Sequence, residues 1–247
     1  MKIRLGIIGN PVSGSFSPSY FANKFTRLGY SDARYDAHLL TSIAEFESLI
    51  VSHPHLLGLN VTHPFKEAIL PYLNELSPEA QQIGAVNTVL FHNSIRTGFN
   101  TDVVGIRQTF KSLGLGNSGV LVLGTGGASK AVQFVCDQQH IPFKVVSRSP
   151  MSMEFSYTDI KKELLSSYPV IVNCTPLGMT AHPGKPPIPY RYLNSSHILI
   201  DLIYQPHVTP FLYEGLNRGC RVKNGFEMLV TQAEASWNIW KSALELE

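Results

Sequence analysis

Apolar positions along this chain follow two rhythms. Short runs of Val, Ile and Leu, too brief for helices, alternate with longer segments whose apolar residues recur every three or four positions. The short runs predict strands at Ile3 to Ile8, Ala33 to Leu40, Gly58 to Thr62 and Ala85 to Phe91, then Val120 to Leu123, Phe143 to Val146, Val170 to Cys174 and Ile198 to Leu202. The longer segments predict helices between them. Ser17-Pro18 reads as an N-cap followed by proline at the first helical position, with Gly29 ending that helix. Further helices start near Ser42, at Pro64-Phe65-Lys66, at Asp102 and at Thr209-Pro210, the last ended by Gly219. A final helix runs from Phe226 to about Leu244, and its Leu, Ala and Trp spacing reads as core packing. Strand–helix alternation from end to end predicts an α/β protein with mainly parallel sheet. It divides into two lobes near residue 102, with the last helix packing back on the first. The stretch from Pro150 to Tyr168 is short for a full crossover, which predicts a shortened helix there; Met151 and Met153 in it read as packing or surface residues.

Composition narrows the function classes. The 247 residues are 44% hydrophobic and 15% charged, against roughly 25% charged in ordinary domains, which excludes a charge-extended disordered chain. A formal net charge of +2, with no dense Lys/Arg run, argues against nucleic acid as a partner. No apolar run approaches the roughly 20 residues that cross a bilayer, and the first residues lack the pattern of a signal peptide. Cys136, Cys174 and Cys220 are widely separated, with no Cys/His cluster, so no metal is expected and a reduced cytoplasmic setting is the default.

The most informative local pattern is Val120-Leu121-Val122-Leu123-Gly124-Thr125-Gly126-Gly127-Ala128-Ser129, a buried strand running into glycines and then a helix. In a dinucleotide-binding turn, the first glycine permits the tight bend and the second lets backbone approach a pyrophosphate. The helix N-terminus then supplies unpaired N–H groups. The second lobe is therefore expected to be a Rossmann-like, doubly wound sheet. Ser129 stands where a third Gly or Ala is usual, which predicts slightly looser helix–strand packing. An acid about 20 residues on would hold the 2′-hydroxyl of NAD. The next strand ends instead in Ser147-Arg148-Ser149, whose guanidinium and hydroxyls suit a 2′-phosphate, so the cofactor expected is NADP.

In the first lobe, four segments place polar residues where strands end and helices begin. They are Ser13 to Pro18, Asn60 to Lys66, Ala85 to Thr88 and Gly98 to Asp102. Each has an ordinary reading as well. Ser17 and Asp102 read as helix caps and Asn87 as a partner for buried backbone. Lys66 in a first helical turn opposes the helix dipole, which its long stem relieves by reaching water.

As an ordered set these segments resemble the shikimate dehydrogenase family, over nearly the whole chain. The resemblance is carried by Gly9-Asn10-Pro11 with Ser15-x-Ser17-Pro18, Asn60-Val61-Thr62-x-Pro64-Phe65-Lys66, Gly84-Ala85-Val86-Asn87-Thr88 and Asn100-Thr101-Asp102. It continues through the glycine turn, Asn173-x-Thr175-Pro176-x-Gly178-Met179, Asp201-x-x-Tyr204 and Gly225-x-x-Met228-Leu229-Val230-x-Gln232-Ala233. It implies Lys66 and Asp102 as a catalytic pair, and Ser15, Ser17, Thr62, Asn87, Asp102 and Gln232 as substrate ligands with Tyr204 close by. It implies Gly124, Thr125, Gly126, Gly127, Ala128, Ser147, Arg148, Ser149, Leu202 and Gly225 as NADP contacts. The implied lobes are a substrate-binding domain, 1–102 completed by 226–247, and an NADP-binding domain, 103–225. The implied reaction is reversible reduction of 3-dehydroshikimate to shikimate by NADPH, in aromatic amino-acid synthesis. The implied partner is a small molecule, with no nucleic acid or membrane, and the protein is expected as a monomer or homodimer. Two features depart from the family pattern. Phe16 stands where a basic residue is common, and the cofactor clamp reads Ser-Arg-Ser instead of Asn-Arg-Thr. Quinate turnover, relaxed use of NAD, and a catalytically silent nucleotide-binding sensor are the competing readings.

Overall fold

The computed structural model describes residues 2–151 and 154–244; Met153 and the last three residues of the 226–247 segment lie outside the described residues. The first half contains β1 (Arg4–Gly9), α1 (Ser17–Leu28), β2 (Arg34–Leu39), α2 (Phe46–Ser52), β3 (Gly58–Val61), α3 (Phe65–Ala68), β4 (Glu75–Leu76), α4 (Pro78–Ile83), β5 (Thr88–His92) and β6 (Ile95–Phe99). The second half contains α5 (Asp102–Leu113), β7 (Val120–Leu123), α6 (Gly127–Gln138), β8 (Phe143–Ser147), β9 (Phe155–Ser156), α7 (Lys162–Ser167), β10 (Val170–Asn173), β11 (Ile198–Asp201), α8 (Pro210–Leu216), β12 (Arg221–Lys223) and α9 (Phe226–Leu244). As expected, the α-helix of the stretch after β8 is short: among the described residues it is the six-residue α7.

The strands form two six-stranded sheets. The second has the order β12-β11-β10-β7-β8-β9 and every pairing in it is parallel. Its inner strands β7 and β10 are buried along their whole length, as continuous apolar runs in a sheet covered on both faces must be. The first sheet, β2-β1-β3-β5-β6-β4, keeps the expected parallel pairing at β2-β1, β1-β3 and β6-β4 and departs from it at β5, which runs antiparallel to both β3 and β6. The cause is a hairpin between β5 and β6. Asn93 and Ser94 take positive φ values of 50° and 62°, the primed turn that lets two strands fold straight back. The same region held a second surprise: the strand expected from Ala85 begins only at Thr88.

Ser17 is not the cap of α1. Phe16 occupies that position, without a side-chain cap bond, and Ser17 is already helical and buried. Gly29 does end the helix, left-handed at φ 76°.

By contacts, the chain divides into two compact units, Met1–Thr101 with Ala233–Glu247, and Asp102–Gln232. The division falls inside α9. Its first turns belong with α5, where a Cβ on Gly105 would stand 2.6 Å from the Met228 carbonyl oxygen, so only glycine allows that approach. Its later turns belong with the first sheet. Trp237 and Trp240 join Ile3, Leu5, Phe21 and Tyr35 in one apolar core, and the Trp240 indole N–H donates to the Val89 carbonyl at 3.0 Å. The indole lies directly over Gly58, where a Cβ would come within 2.0 Å of Nε1. Over the Trp237 ring, 5.6 Å from its centroid, the ammonium of buried Lys24 is paired with Glu234 at 2.6 Å.

Candidate active site

In the first sheet, the carboxyl ends of β1 and β3 lie at one edge. Because β5 is antiparallel, its amino end reaches the same edge, and β6 ends there too. The hydrogen bonds join these ends. The N–H of Thr62 donates to Ile8 O at 3.0 Å and that of Val61 to Asn87 O at 2.8 Å. The N–H of Val86 donates to Lys66 O at 2.7 Å, so the backbones of Lys66 and Asn87 are held one residue apart across the edge. Gly9 allows Thr62 to approach, since a Cβ there would lie 2.4 Å from the threonine methyl. Ser15 and Ser17 stand on the loop and first turn after β1, and Ser15 Oγ accepts the Ser17 N–H at 3.4 Å. This edge thus gathers Ser15, Ser17, Thr62, Lys66 and Asn87, from separate stretches of sequence.

Asn87 is buried, and its Oδ1 accepts from the Thr101 N–H at 2.7 Å and from the hydroxyls of Thr101 and Thr88 at 3.1 and 3.0 Å. Its amide oxygen therefore does satisfy buried backbone, as the ordinary reading held. Behind it lie Tyr35, Asn60, Thr88 and Ser236, which were not anticipated as site residues. Their only signal in sequence was a polar residue within an otherwise apolar strand or helix face.

Asp102 opens α5 in the second unit and is buried. In the same unit Tyr204 follows β11 and is half-buried. Gln232, on α9, is buried and its amide donates to Leu229 O at 2.8 Å.

The second sheet supplies the other half of the chemistry. Stepping outward from β7, β8 and β9 lie to one side and β10, β11 and β12 to the other, so strand order reverses between β7 and β10. Ligands of doubly wound sheets bind at that point, outside the carboxyl ends. The glycine turn lies there. Gly124 is left-handed at φ 106° and faces Thr175, whose methyl would be 3.1 Å from an added Cβ. Gly126 is the N-cap of the twelve-residue α6, and nothing lies within 4 Å of where its side chain would be. The first turn of α6 carries no acid, so its N–H groups and dipole face open space with positive character. Thr125 and Gly126 are exposed, and Gly127 and Ala128 begin the helix. Ser129 is fully buried, its hydroxyl accepting from the Gln133 amide at 3.0 Å; the extra atom is packed and bonded, and the looser packing expected there is not found.

Next to the turn, β8 ends in Ser147, whose Oγ accepts the Ser149 N–H at 3.2 Å, and Arg148 is exposed beside it. Ser147, Arg148 and Ser149 include no carboxylate. On the other side, Gly225 packs on Leu202, where a Cβ would come 2.1 Å from the Leu202 carbonyl oxygen. This loop is braced from beneath. Asp201 is fully buried and accepts from the Ile203 N–H at 3.1 Å, the Asn173 amide at 3.0 Å and the Thr209 hydroxyl at 2.5 Å. Burial pushes its carboxyl up to about 6 against those bonds, which favour the ionised form. Asn173 in turn accepts from Thr175, the neighbour of Gly124, so one network spans the strand ends around the turn. Among the described residues, no group of three or more His, Cys, Asp or Glu is arranged to hold a metal, and no helix is long and apolar enough to cross a membrane.

Comparison with known proteins agrees with this layout. Residues 7–89 match the family model for the shikimate dehydrogenase substrate binding domain. The shikimate dehydrogenase (NADP(+)) of Staphylococcus aureus strain MSSA476 is 34% identical, over 96% of this chain and 92% of that protein. Among solved structures, shikimate 5-dehydrogenase from Thermus thermophilus, in complex with NADP(H) and shikimate, is 32% identical with a TM-score of 0.86, covering 97% of this chain and 94% of that one. Quinate dehydrogenase from Corynebacterium glutamicum, in complex with NAD, is 27% identical with a TM-score of 0.85, covering 98% and 94%. From the polar edge of the first sheet to the glycine turn of the second, and on through α9, this chain belongs to the shikimate dehydrogenase family.

Proposed function

We propose that this protein catalyses the reversible, NADP-dependent reduction of 3-dehydroshikimate to shikimate in aromatic amino-acid synthesis. The observation that carries this reading is the match to shikimate dehydrogenases over 96% of the chain. The polar edge of the first sheet supports it, because a lining of hydroxyls, amides and one lysine suits a polyol acid. A site built to hydrogen-bond hydroxyls discriminates strongly between substrates, by roughly 10⁴–10⁵ in favourable cases.

The residues at the switch point fit NADP. Gly126 offers open space where a side chain would block a phosphate, α6 presents an acid-free N-terminus, and Arg148 with Ser147 and Ser149 offers donors to a 2′-phosphate. Gly124, Thr125, Gly127 and Ala128 would hold the pyrophosphate, with Leu202 and Gly225 toward the nicotinamide. When bound, the cofactor supplies or accepts the hydride. The chain's own residues do the rest. Ser15, Ser17, Thr62, Asn87, Tyr204 and Gln232 hold and orient the ring substituents, so that the reacting carbon is presented in one pose. Lys66 and Asp102 act at the carbonyl oxygen, stabilising the charge that develops there and supplying the proton that completes the alcohol. The first unit carries Ser15, Ser17, Thr62, Lys66 and Asn87 of the proposed substrate site, and the second carries the NADP contacts together with Asp102, Tyr204 and Gln232. The proposed setting is the cytoplasm, as a monomer or homodimer.

Quinate is the second reading, favoured by the likeness to a quinate dehydrogenase. Initial rates with shikimate and quinate, each with NADP and NAD, separate the two. Fastest turnover is expected for shikimate with NADP, and faster turnover of quinate with NAD would overturn it. NADPH binding without any turnover of 3-dehydroshikimate would instead favour a silent sensor.

A further inference from the structure

Among the described residues, three of the strands that end the two sheets are stubs: β4 and β9 have two residues each and β12 has three. The strand at the remaining end, β2, has six residues in unbroken register on β1, with no proline, lysine or bulge. A long regular edge is a template for another strand, and folded proteins ordinarily shorten it, place lysine on it or bend it away. The direction of the β2 backbone follows from the bonds it makes. The N–H of Arg34 donates to Ile3 O at 2.9 Å and that of Leu40 to Gly9 O at 3.3 Å. Alternation along the strand then turns the N–H and C=O groups of Arg34, Asp36 and His38 toward β1, and those of Tyr35, Ala37 and Leu39 outward. Ala37 is exposed and Leu39 is 59% exposed.

The side chains select what fits this edge. Two copies of β2 related by a twofold axis pair antiparallel, and an axis through the middle of the strand passes at Asp36 or at Ala37. At Asp36 it would set two carboxylates directly opposite each other, which is repulsive. At Ala37 it sets Asp36 opposite the partner's His38, once on each side of the axis, with only methyl groups meeting between them. Those are non-hydrogen-bonded positions, where facing side chains come closest, at about 4.5 Å between Cα atoms. The outward N–H and C=O groups are then all answered: Tyr35 exchanges bonds with the partner's Leu39, and Ala37 with the partner's Ala37. The opposite face of the strand agrees. Tyr35, Ala37 and Leu39 lie on the side of α1, where the Tyr35 ring stacks on Phe21 at 4.5 Å. Between α1 and the start of β2 runs a groove of about 480 Å³, lined by Ala22, Phe25, Thr26, Tyr30, Ala33 and Tyr35. The axis at Ala37 brings the partner's Leu39 beside Tyr35, at that groove.

We propose that the β2 edge is a homodimer interface, in which β2 pairs antiparallel with β2 of a second copy about an axis at Ala37 and joins the two first sheets into one. The occupant is fixed by the match of Asp36 to His38 and of Leu39 to the groove beside Tyr35. The proposal goes beyond the catalytic reading and selects the homodimer over the monomer. It uses the first unit alone, so it stands or falls independently of the substrate and the cofactor.

The test is sedimentation equilibrium of the full chain over a range of concentrations. Twice the mass of one chain is expected, with monomer appearing on dilution. Ala37→Pro removes an outward N–H that β1 does not use, and Leu39→Asp alters an exposed side chain, so both are expected to keep Tm within about 2 °C. Ala37→Pro is expected to raise the dimer dissociation constant roughly 100-fold and Leu39→Asp roughly 10- to 100-fold. Should Ala37→Pro not fold, Leu39→Asp carries this arm. Asp36→Lys and His38→Asp, each of which sets like charges across the axis, are each expected to raise it roughly tenfold. The double variant with both changes restores opposite charges, and its dissociation constant is expected within about threefold of the parent's. A chain that stays monomeric up to about 0.5 mM overturns the proposal. A dimer of unchanged strength in folded Leu39→Asp overturns it as well, by placing the interface elsewhere. Weakening by both single charge variants without recovery in the double variant overturns the pairing about Ala37.

Discussion

The two sheets prepare their carboxyl edges by opposite means. The edge of the first is crowded with side chains, and a buried layer of amides and hydroxyls lies behind Asn87. At the second, the central feature is a lack of side chains: two glycines, a helix N-terminus and an exposed arginine. Recognition by backbone N–H groups needs little behind it, because the helix itself fixes their direction. Recognition by side chains leaves rotamers and amide orientations to be decided, and at Asn87 the first sheet decides the orientation with hydrogen bonds from Thr88 and Thr101. Substitutions should therefore act directly at the second sheet, and at the first both directly, as at Lys66, and through the groups packed behind Asn87.

The largest effect is expected from Lys66→Ala. Initial rates should show kcat falling roughly 10²- to 10⁴-fold, with a much smaller change in the shikimate KM. An unchanged kcat with a raised KM would make Lys66 a binding group only. Next, Arg148→Ala should raise the KM for NADPH roughly 10- to 100-fold while leaving that for NADH nearly unchanged, since only the former carries the 2′-phosphate. Equal losses with both cofactors would sharpen the contrast differently, by making the arginine a general anchor. Gly126→Val should weaken NADPH binding roughly tenfold without lowering Tm, because φ is −76° and nothing lies within 4 Å of the new side chain. A fall in Tm would mean that the turn has a structural duty as well.

The smallest effect is expected at Asp201. Its folded-state value, about 6, lies above the ordinary 3.8, so between these limits the unfolded chain binds fewer protons and this group's contribution to stability falls as pH rises. Asp201→Asn removes that dependence. The Tm of the variant relative to the unmodified protein should climb between about pH 4 and pH 7, as thermal melts in matched buffers would record. A difference that stays constant with pH would place the carboxyl near its ordinary value, with the bonds from Ile203, Asn173 and Thr209 offsetting the whole cost of burying its charge.

Much of the second unit was legible in the sequence, because its signals are local. Val120 to Ser129 names a strand, a turn and a helix within ten residues, and the missing acid at Ser147 to Ser149 is read the same way. The first unit was harder. The motifs around Ser15, Thr62, Lys66 and Asn87 could be found, but the antiparallel course of β5 depends on a turn at Asn93-Ser94 that lacks the usual glycine. Ser17 looked like a cap because Pro18 follows it, yet the helix begins there with Phe16 ahead of it. The deeper layer was not legible at all. Tyr35, Asn60, Thr88 and Ser236 are scattered over about 200 positions, and only the fold shows that one amide ties them together.

The placement of Trp237 and Trp240 has a consequence for how the molecule is made. Ribosomes deliver a chain from its amino end, and the first unit has its sheet complete by Phe99. Ile3, Phe21 and Gly58 nevertheless stay uncovered until the two indoles emerge about 140 residues later, so nascent first units present an open apolar surface throughout synthesis of the second. A chain interrupted after Gly225 would stay in that state, and a short separate peptide spanning α9 is the natural reagent to rescue it.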